Sequence, residues 1–276
     1  KPAREHRAAW TAATFPDLAD ITVSKSSLLG SGEGLRKLVA SIEKYGVGIV
    51  DQVEPDLSST ETVVRALAPV ARTFYGEMWQ FNSNYGLADT AYTNEALGAH
   101  TDATYFSQSL RVQVFHCITP ADEGGDTLLV DGLRVAQQLQ QKHPLAYEFF
   151  SKQALSAEYI GDGQHHMSIH TMLQHHPVTG LLQQIRYNLY DRAPLNTLDV
   201  SGVQKYYEHI VSLAAIVNNK SAEFWLSLRP GAVLFLDNWR VMHGRSAYTG
   251  ERSMAGCYVG NEDYTSTART LGLTQH

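Results

Sequence analysis

Residues 111–118 alternate strictly, with Val112, Val114, His116 and Ile118 at every second position, and this predicts a strand with one face turned to a core. The pattern constrains the fold because similar short runs recur along the chain. From about residue 88 to 132 strands alternate with turns, and Asp122-Glu123-Gly124-Gly125 reads as a turn ahead of a strand over 126–130. Residues 155–188 read as two or three strands joined by polar, His-rich turns. Runs over 224–228, 232–237, 241–243 and 254–259 are separated by Pro230-Gly231 and Thr249-Gly250. Helical spacing interrupts the strands. Leu35, Leu38, Val39 and Ile42 predict a helix from Glu33 to Tyr45, followed by a strand over 47–51. A second helix opens at 58–62 and carries Val63, Val64, Leu67, Val70 and Phe74 on its buried face. Residues 133–153 read as helical, as does 201–219 with Val203, Tyr207, Ile210 and Leu213. Short strands at regular spacing with inserted helices favour one mainly β domain, a sandwich or barrel with flanking helices. No Gly-rich phosphate loop follows a strand, which argues against a doubly wound parallel sheet.

Composition narrows the function classes. With 43% hydrophobic residues in 276 the chain is not of the disordered type, and no apolar run is long enough for a membrane-spanning helix. A net charge of -6 without a basic run argues against nucleic-acid binding. Cys117 and Cys257 lie in strand-like segments, and no CxxC occurs. They are expected to be buried, reduced thiols of an intracellular protein. The sequence begins at Lys1 rather than Met, and localisation is not readable from it.

Two segments far apart in sequence carry candidate chemistry. His100-Thr101-Asp102 is a His-x-Asp triplet, close to what chance supplies in a chain with 12 His. On a strand, however, positions i and i+2 project to one face, so the pair could hold two adjacent corners of a metal ion. His243, followed by Gly244, offers a third ligand, and glycine there permits close backbone approach. Two imidazoles and one carboxylate leave three positions open and suit non-haem Fe(II). His165, His166, His175 and His176 could be surface residues or weak metal scavengers. Thr127 and Arg252 form a second candidate set: a five-carbon diacid needs a cationic clamp, which the Arg fork supplies, with a hydroxyl as a further donor.

Taken together and in order, His100-x-Asp102, Gly125-Asp126-Thr127, Asp237-Asn238-Trp239-Arg240, His243-Gly244-Arg245 and Arg252 resemble the taurine-dioxygenase-like branch of the Fe(II)/2-oxoglutarate oxygenases. The resemblance spans roughly residues 30–273. Within the branch the chain resembles the carnitine-biosynthesis enzymes acting on trimethyllysine and γ-butyrobetaine. The trimethyllysine enzymes are closer in residues 89–93, 100–106 and 127–132, in Ile185-Arg186-Tyr187-Asn188, in Tyr190-Asp191-Arg192 and in Thr267-Ala268-Arg269.

This resemblance implies a double-stranded β-helix, or jelly-roll, oxygenase core. It implies His100, Asp102 and His243 as iron ligands and Thr127 and Arg252 on the distal carboxylate of 2-oxoglutarate. Ascorbate is expected only to keep iron reduced. The implied reaction is hydroxylation of trimethyllysine at C3, the first step of carnitine biosynthesis, giving succinate and CO2. The alternatives are hydroxylation of γ-butyrobetaine and a non-catalytic jelly-roll module that binds methylated lysine. A quaternary ammonium cannot donate hydrogen bonds and is recognised by aromatic faces, so Tyr75, Trp79, Tyr92 and Tyr258 are expected to form a cage. Asp89 stands where the butyrobetaine enzyme is expected to carry Asn, and it is expected to pair with the α-ammonium of trimethyllysine while repelling the bare carboxylate end of butyrobetaine. Asn188, with Tyr190, is expected to meet the amino-acid carboxylate. Residues 1–276 are expected to form the single catalytic domain, without the family's N-terminal zinc-binding domain. A homodimer and a mitochondrial-matrix location accompany the resemblance, with the cytoplasm as the alternative.

Overall fold

The computed structural model describes residues 7–30, 32–82 and 93–274. Two sheets organise them. A six-stranded sheet runs, in spatial order, Thr22–Ser24, Val47–Asp51, Val233–Asp237, Val112–Thr119, Ser253–Val259 and Met78–Asn82. A four-stranded sheet runs Phe224–Leu226, Thr127–Asp131, Val241–Arg245 and Leu97–His100. All of these pairings are antiparallel except that of Thr22–Ser24 with Val47–Asp51.

Strand parity sorts the side chains into layers, because successive residues point to opposite faces. In Val233–Asp237, Val233 and Phe235 join a core with Leu38, Val39, Ile42, Val63, Val64 and Leu67 of the helices Glu33–Tyr45 and Leu57–Leu67. Leu234 and Leu236 point the other way and meet Leu129, Val241 and Leu226 of the smaller sheet, capped by Trp10. The smaller sheet's outer face, with Leu128, Val130 and Met242, packs on the helices Gly132–Lys142, Pro144–Lys152 and Val200–Val217. The order is therefore helices, large sheet, small sheet, helices. The space between the sheets is apolar at one end and carries the site at the other.

This architecture agrees with the mainly β, jelly-roll expectation, with local differences. The strand Val112–Thr119 does not alternate between buried and exposed: Gln113 is as buried as Val112 and Val114, since the second face looks into the molecule rather than into water. The helix Leu57–Leu67 stops before Val70 and Phe74, which lie in the segment leading to Met78–Asn82. The 133–153 region is two helices broken at His143-Pro144, where proline opens the second. On Val200–Val217 the buried stripe runs through Tyr206, Ile210, Leu213 and Val217, while Tyr207 is exposed. Four strands occupy 154–185, and a final helix, Asn261–Thr270, carries no apolar stripe in sequence beyond Tyr264 and Ala268. Cys117 and Cys257 are buried and free, and burial pushes the Cys257 thiol up to about 12. Among the described residues no helix is long and apolar enough to cross a membrane.

Candidate active site

Strands Leu97–His100 and Val241–Arg245 run antiparallel with His100 directly opposite His243, their ring centroids 4.5 Å apart. Gly244 makes this approach possible, because a Cβ there would lie 2.3 Å from the Leu97 carbonyl oxygen. The pleat does not bring in the third donor as the His-x-Asp spacing implied. The strand ends at His100, and Asp102 lies in the turn that follows, where Ala103 takes a left-handed φ of 55°. The turn carries the carboxylate back so that Asp102 Oδ1 is 3.2 Å from His100 Nε2 and 3.6 Å from His243 Nε2. Ligand atoms of the three side chains lie within 4.8 Å of one another.

Four further hydrogen bonds set this geometry. His100 Nδ1 lies 2.8 Å from the Gly98 carbonyl, which fixes the ring's orientation and leaves Nε2 facing Asp102. The Asp102 backbone N–H donates to Asn238 Oδ1 at 2.8 Å, and Asn238 Nδ2 donates to the Asp102 carbonyl at 3.1 Å. The Tyr258 hydroxyl donates to Asp102 Oδ2 at 2.8 Å.

The electrostatics favour a bound cation. Burial opposes ionisation of Asp102, but His243, His100 and the Tyr258 hydrogen bond outweigh it and hold the carboxyl well below the usual carboxylate range. Burial draws His243 down to about 4, against the pull of Asp102 and with the push of His100, so at neutral pH it presents a lone pair. His100 is held above its ordinary value because the bonded Asp102 overcomes the effect of burial. Among the described residues Asp102 pairs with no Lys or Arg, and His243 Nδ1 is buried without a partner. A carboxylate and two imidazoles converging without a resident cation fit a divalent metal of the Fe(II) kind.

The three side chains open onto a cavity of about 350 Å³. One part of its wall is cationic: Thr127, Arg245 and Arg252 line it, and Thr127 is the register partner of Arg245. Both guanidinium groups lie against the Tyr248 ring, at 5.0 and 5.5 Å. Burial, with Arg245 nearby, brings Arg252 down to about 10, and among the described residues no carboxylate pairs with Arg252. Arg245 donates to the carbonyls of Thr93 and Glu95.

Another part of the wall is aromatic. Tyr75, Trp79 and Tyr258, expected from sequence, all line the cavity. Trp79 lies 6.2 Å from the Tyr258 ring and directly over Gly256, where a Cβ would meet it at 2.2 Å. Tyr105 and Tyr159 extend this wall, with the Tyr105 hydroxyl 3.2 Å from that of Tyr75. Asn188 lines the cavity with its amide engaged, donating to Asp191 Oδ2 at 2.9 Å and accepting from the Tyr190 N–H. Asp89 and Tyr92 lie outside the described residues.

Sequence reasoning assigned no role to Arg245, Gln113, Tyr105, Tyr159, Glu158 or Asp191, all of which line the cavity. Arg245, Tyr105 and Asp191 fall inside family-like motifs and could have been found there. Tyr159 and Glu158 lie on the hairpin strand Ala154–Gly161, which carries no such signal. The four paired histidines stay out of the metal cluster. His165 bonds Glu158, His166 stacks on Phe74, His175 bonds the Tyr147 hydroxyl, and His176 Nδ1 accepts from the backbone of Val178 and Thr179.

The chain is 41% identical over 271 residues to the human protein named "Trimethyllysine dioxygenase, mitochondrial", covering 97% of this chain and 64% of that one. It is 32% identical to trimethyllysine dioxygenase of Meyerozyma guilliermondii, over 87% of this chain and 61% of that one. Identity to human γ-butyrobetaine dioxygenase is 26%, over 91% and 66%. The chain thus spans a little under two thirds of these relatives. Among solved structures, a taurine dioxygenase from Burkholderia xenovorans shares the fold with a TM-score of 0.66 at 14% identity, covering 89% of this chain and 91% of that one. PvcB, described as an Fe, alpha-ketoglutarate dependent oxygenase, gives 0.61 at 18% identity, over 88% and 83%. Residues 7–258 match the model of the taurine catabolism dioxygenase TauD, TfdA family, and the chain belongs to that family.

Proposed function

We propose that residues 1–276 form the catalytic domain of an Fe(II)- and 2-oxoglutarate-dependent oxygenase that hydroxylates N6,N6,N6-trimethyllysine at C3. The observation that carries this reading is the convergence of His100, Asp102 and His243 on a cavity with arginines on one part of its wall and aromatic rings on another. The identity to trimethyllysine dioxygenases supports the choice of substrate.

In this reading His100, Asp102 and His243 hold Fe(II), and ascorbate keeps it reduced. A metal held there would let dioxygen and 2-oxoglutarate oxidise an unactivated C–H bond, one oxygen atom going to the hydroxyl of the product and the other to the succinate formed with CO2. The rest is the work of the chain. Arg252 takes the distal carboxylate of 2-oxoglutarate in a charge-assisted contact, strengthened because the guanidinium is buried and, among the described residues, lacks a carboxylate partner. Thr127 adds a hydroxyl donor. Tyr75, Trp79 and Tyr258 present ring faces to the trimethylammonium group, for which Tyr105 and Tyr159 supply additional surface. Anion and cation are drawn to different parts of the wall, so the two ligands enter in a defined relation to each other and together displace water. Asn188 contributes an amide beside Tyr190 toward the amino-acid carboxylate. A homodimer belongs to the same reading, as does a mitochondrial location, which the relatives' names support.

The test is direct. Incubated with Fe(II), 2-oxoglutarate, ascorbate and equimolar trimethyllysine and γ-butyrobetaine, the protein is expected to add one oxygen to trimethyllysine alone, read by mass. Oxygen gained by butyrobetaine instead would transfer the reading to the alternative substrate. Ligand binding without 2-oxoglutarate turnover would favour a methyl-lysine-binding module. Asp89→Asn sharpens the substrate choice: relative turnover of butyrobetaine is expected to rise by about tenfold, the equivalent of 1.4 kcal/mol. An unchanged preference would remove Asp89 from the account.

A further inference from the structure

Tyr258 enters the active site as an aromatic face, yet its hydroxyl is committed elsewhere. It donates to Asp102 Oδ2 at 2.8 Å, while Oδ1 of the same carboxylate faces the Nε2 atoms of both His100 and His243. The backbone of Asp102 is held independently. Asn238, 1% exposed, accepts from the Asp102 N–H and donates to its carbonyl, and a further bond from Nδ2 to the Leu110 carbonyl ties it to the neighbouring segment. Such a clamp is needed because Asp102 lies in a turn beyond the end of the strand, where ladder hydrogen bonds no longer determine its position.

We propose that Tyr258 and Asn238 are positioning residues for the metal site: Asn238 fixes the turn, and the Tyr258 hydroxyl occupies Oδ2 so that Asp102 presents a single oxygen, Oδ1, alongside the two imidazoles. Tyr258 then serves two purposes with two parts of one side chain, its ring toward the cavity and its hydroxyl on the ligand. A carboxylate with both oxygens available could swing or bind in a bidentate mode and take up a position that the co-substrate requires. The proposal rests on His100, Asp102 and His243 being a metal centre.

The test is Mn(II) affinity, measured by the loss of the free-ion EPR signal at fixed pH, with no turnover needed. Tyr258→Phe keeps the ring and removes only the hydroxyl. It is expected to weaken Mn(II) binding about tenfold, the low end of the roughly 10–100-fold typical of outer-shell partners. Tyr264→Phe is a matched control, since Tyr264 is also buried and donates to Glu43 Oε1 at the same 2.8 Å, away from the site. It is expected to change the affinity less than twofold. Asn238→Ala should lose at least as much affinity as Tyr258→Phe. Tyr258→Phe within twofold of the parent, or a loss matched by Tyr264→Phe, would overturn the hydroxyl's role. Asn238→Ala that lowers Tm but retains Mn(II) affinity would reduce Asn238 to a structural residue. A parent protein that binds no Mn(II) would instead refute the metal centre itself, so the two failures are distinct.

Discussion

Three aspartates withdrawn from solvent divide into two kinds. Asp131 is paired with Arg240 through two contacts of 2.9 and 3.0 Å, and also accepts from the Trp10 and Leu133 backbone. Asp237 is paired with Arg111 at 3.0 Å, and that guanidinium stacks on Trp239 and Tyr264. Asp102 faces two histidines and a tyrosine, and among the described residues no lysine or arginine. The first two are closed by their own arginines, so the opposite charge is supplied within the chain. Asp102 is open, and its neighbours are arranged so that an added cation completes it. A buried carboxylate that already has its arginine therefore belongs to the scaffold, whereas one that faces histidines and a tyrosine hydroxyl belongs to a site.

The contrast can be broken most forcefully at Asp131. Asp131→Ala leaves the Arg240 charge buried and unmatched, and such losses cost about 3–5 kcal/mol. Urea denaturation should show that fall, and a loss under 1 kcal/mol would mean that the pair is not the closed unit described. Asp102→Ala should cost the metal-free protein less than Asp131→Ala, because it takes a partner from the Tyr258 hydroxyl and from His100 but orphans no arginine. Its effect appears on adding Mn(II). At a hundredfold excess over its dissociation constant a ligand stabilises by about 2.7 kcal/mol, which the parent should gain and the variant should not. Thermal unfolding with and without metal measures both halves, and a variant stabilised as much as the parent would remove Asp102 from the metal site.

The smallest effect expected is at His116, a fully buried scaffold histidine with both nitrogens engaged. Thr60 Oγ1 donates to the Asp56 carbonyl, so it accepts from His116 Nδ1, and His116 Nε2 accepts from the Gly231 N–H. Burial lowers its pKa, with Asp56 opposing. The unfolded chain therefore takes up a proton near pH 6.5 while the fold does not. Its contribution to stability is complete above that pH, and declines as pH falls toward the folded value. His116→Gln should flatten this slope in denaturation midpoints between pH 7 and 5. An unaltered slope would assign the acid sensitivity to other groups.

What was legible in sequence depended on whether a feature is carried by local periodicity. The helix Glu33–Tyr45 was readable because its spacing displays the face it buries, and the strands Val47–Asp51, Val233–Asp237 and Ser253–Val259 because they are short apolar runs bounded by turn residues. Residues 111–118 were readable as a strand but not as one covered on both faces, because burial of Gln113 depends on the distant elements that enclose the cavity. The end of the helix Leu57–Leu67 was misplaced because Val70 and Phe74 continue an apolar pattern while serving other contacts. Val70 bridges to Val259, and Phe74 packs among Tyr105, Tyr159 and His166. In the site, His100, Asp102, His243, Thr127 and Arg252 were legible as motifs of a familiar kind, whereas Tyr159 and Glu158 were not, since a hairpin strand reaches the cavity only through tertiary packing.

The sequence by itself determined which donors exist and how strongly they resemble a known set: two histidines and an aspartate, an arginine with a threonine, and aromatic residues near both. It also determined the β-rich architecture, because alternation and turn residues act over a few positions and need no knowledge of the rest of the chain. Only the tertiary structure decided that Asp102 reaches the histidines through a turn rather than along a strand. Only there does Tyr258 spend its hydroxyl on that carboxylate, and only there do Arg245 and Arg252 share one aromatic ring. The first two of these depend on segments more than a hundred residues apart meeting at hydrogen-bond distance, and no local pattern encodes such a meeting.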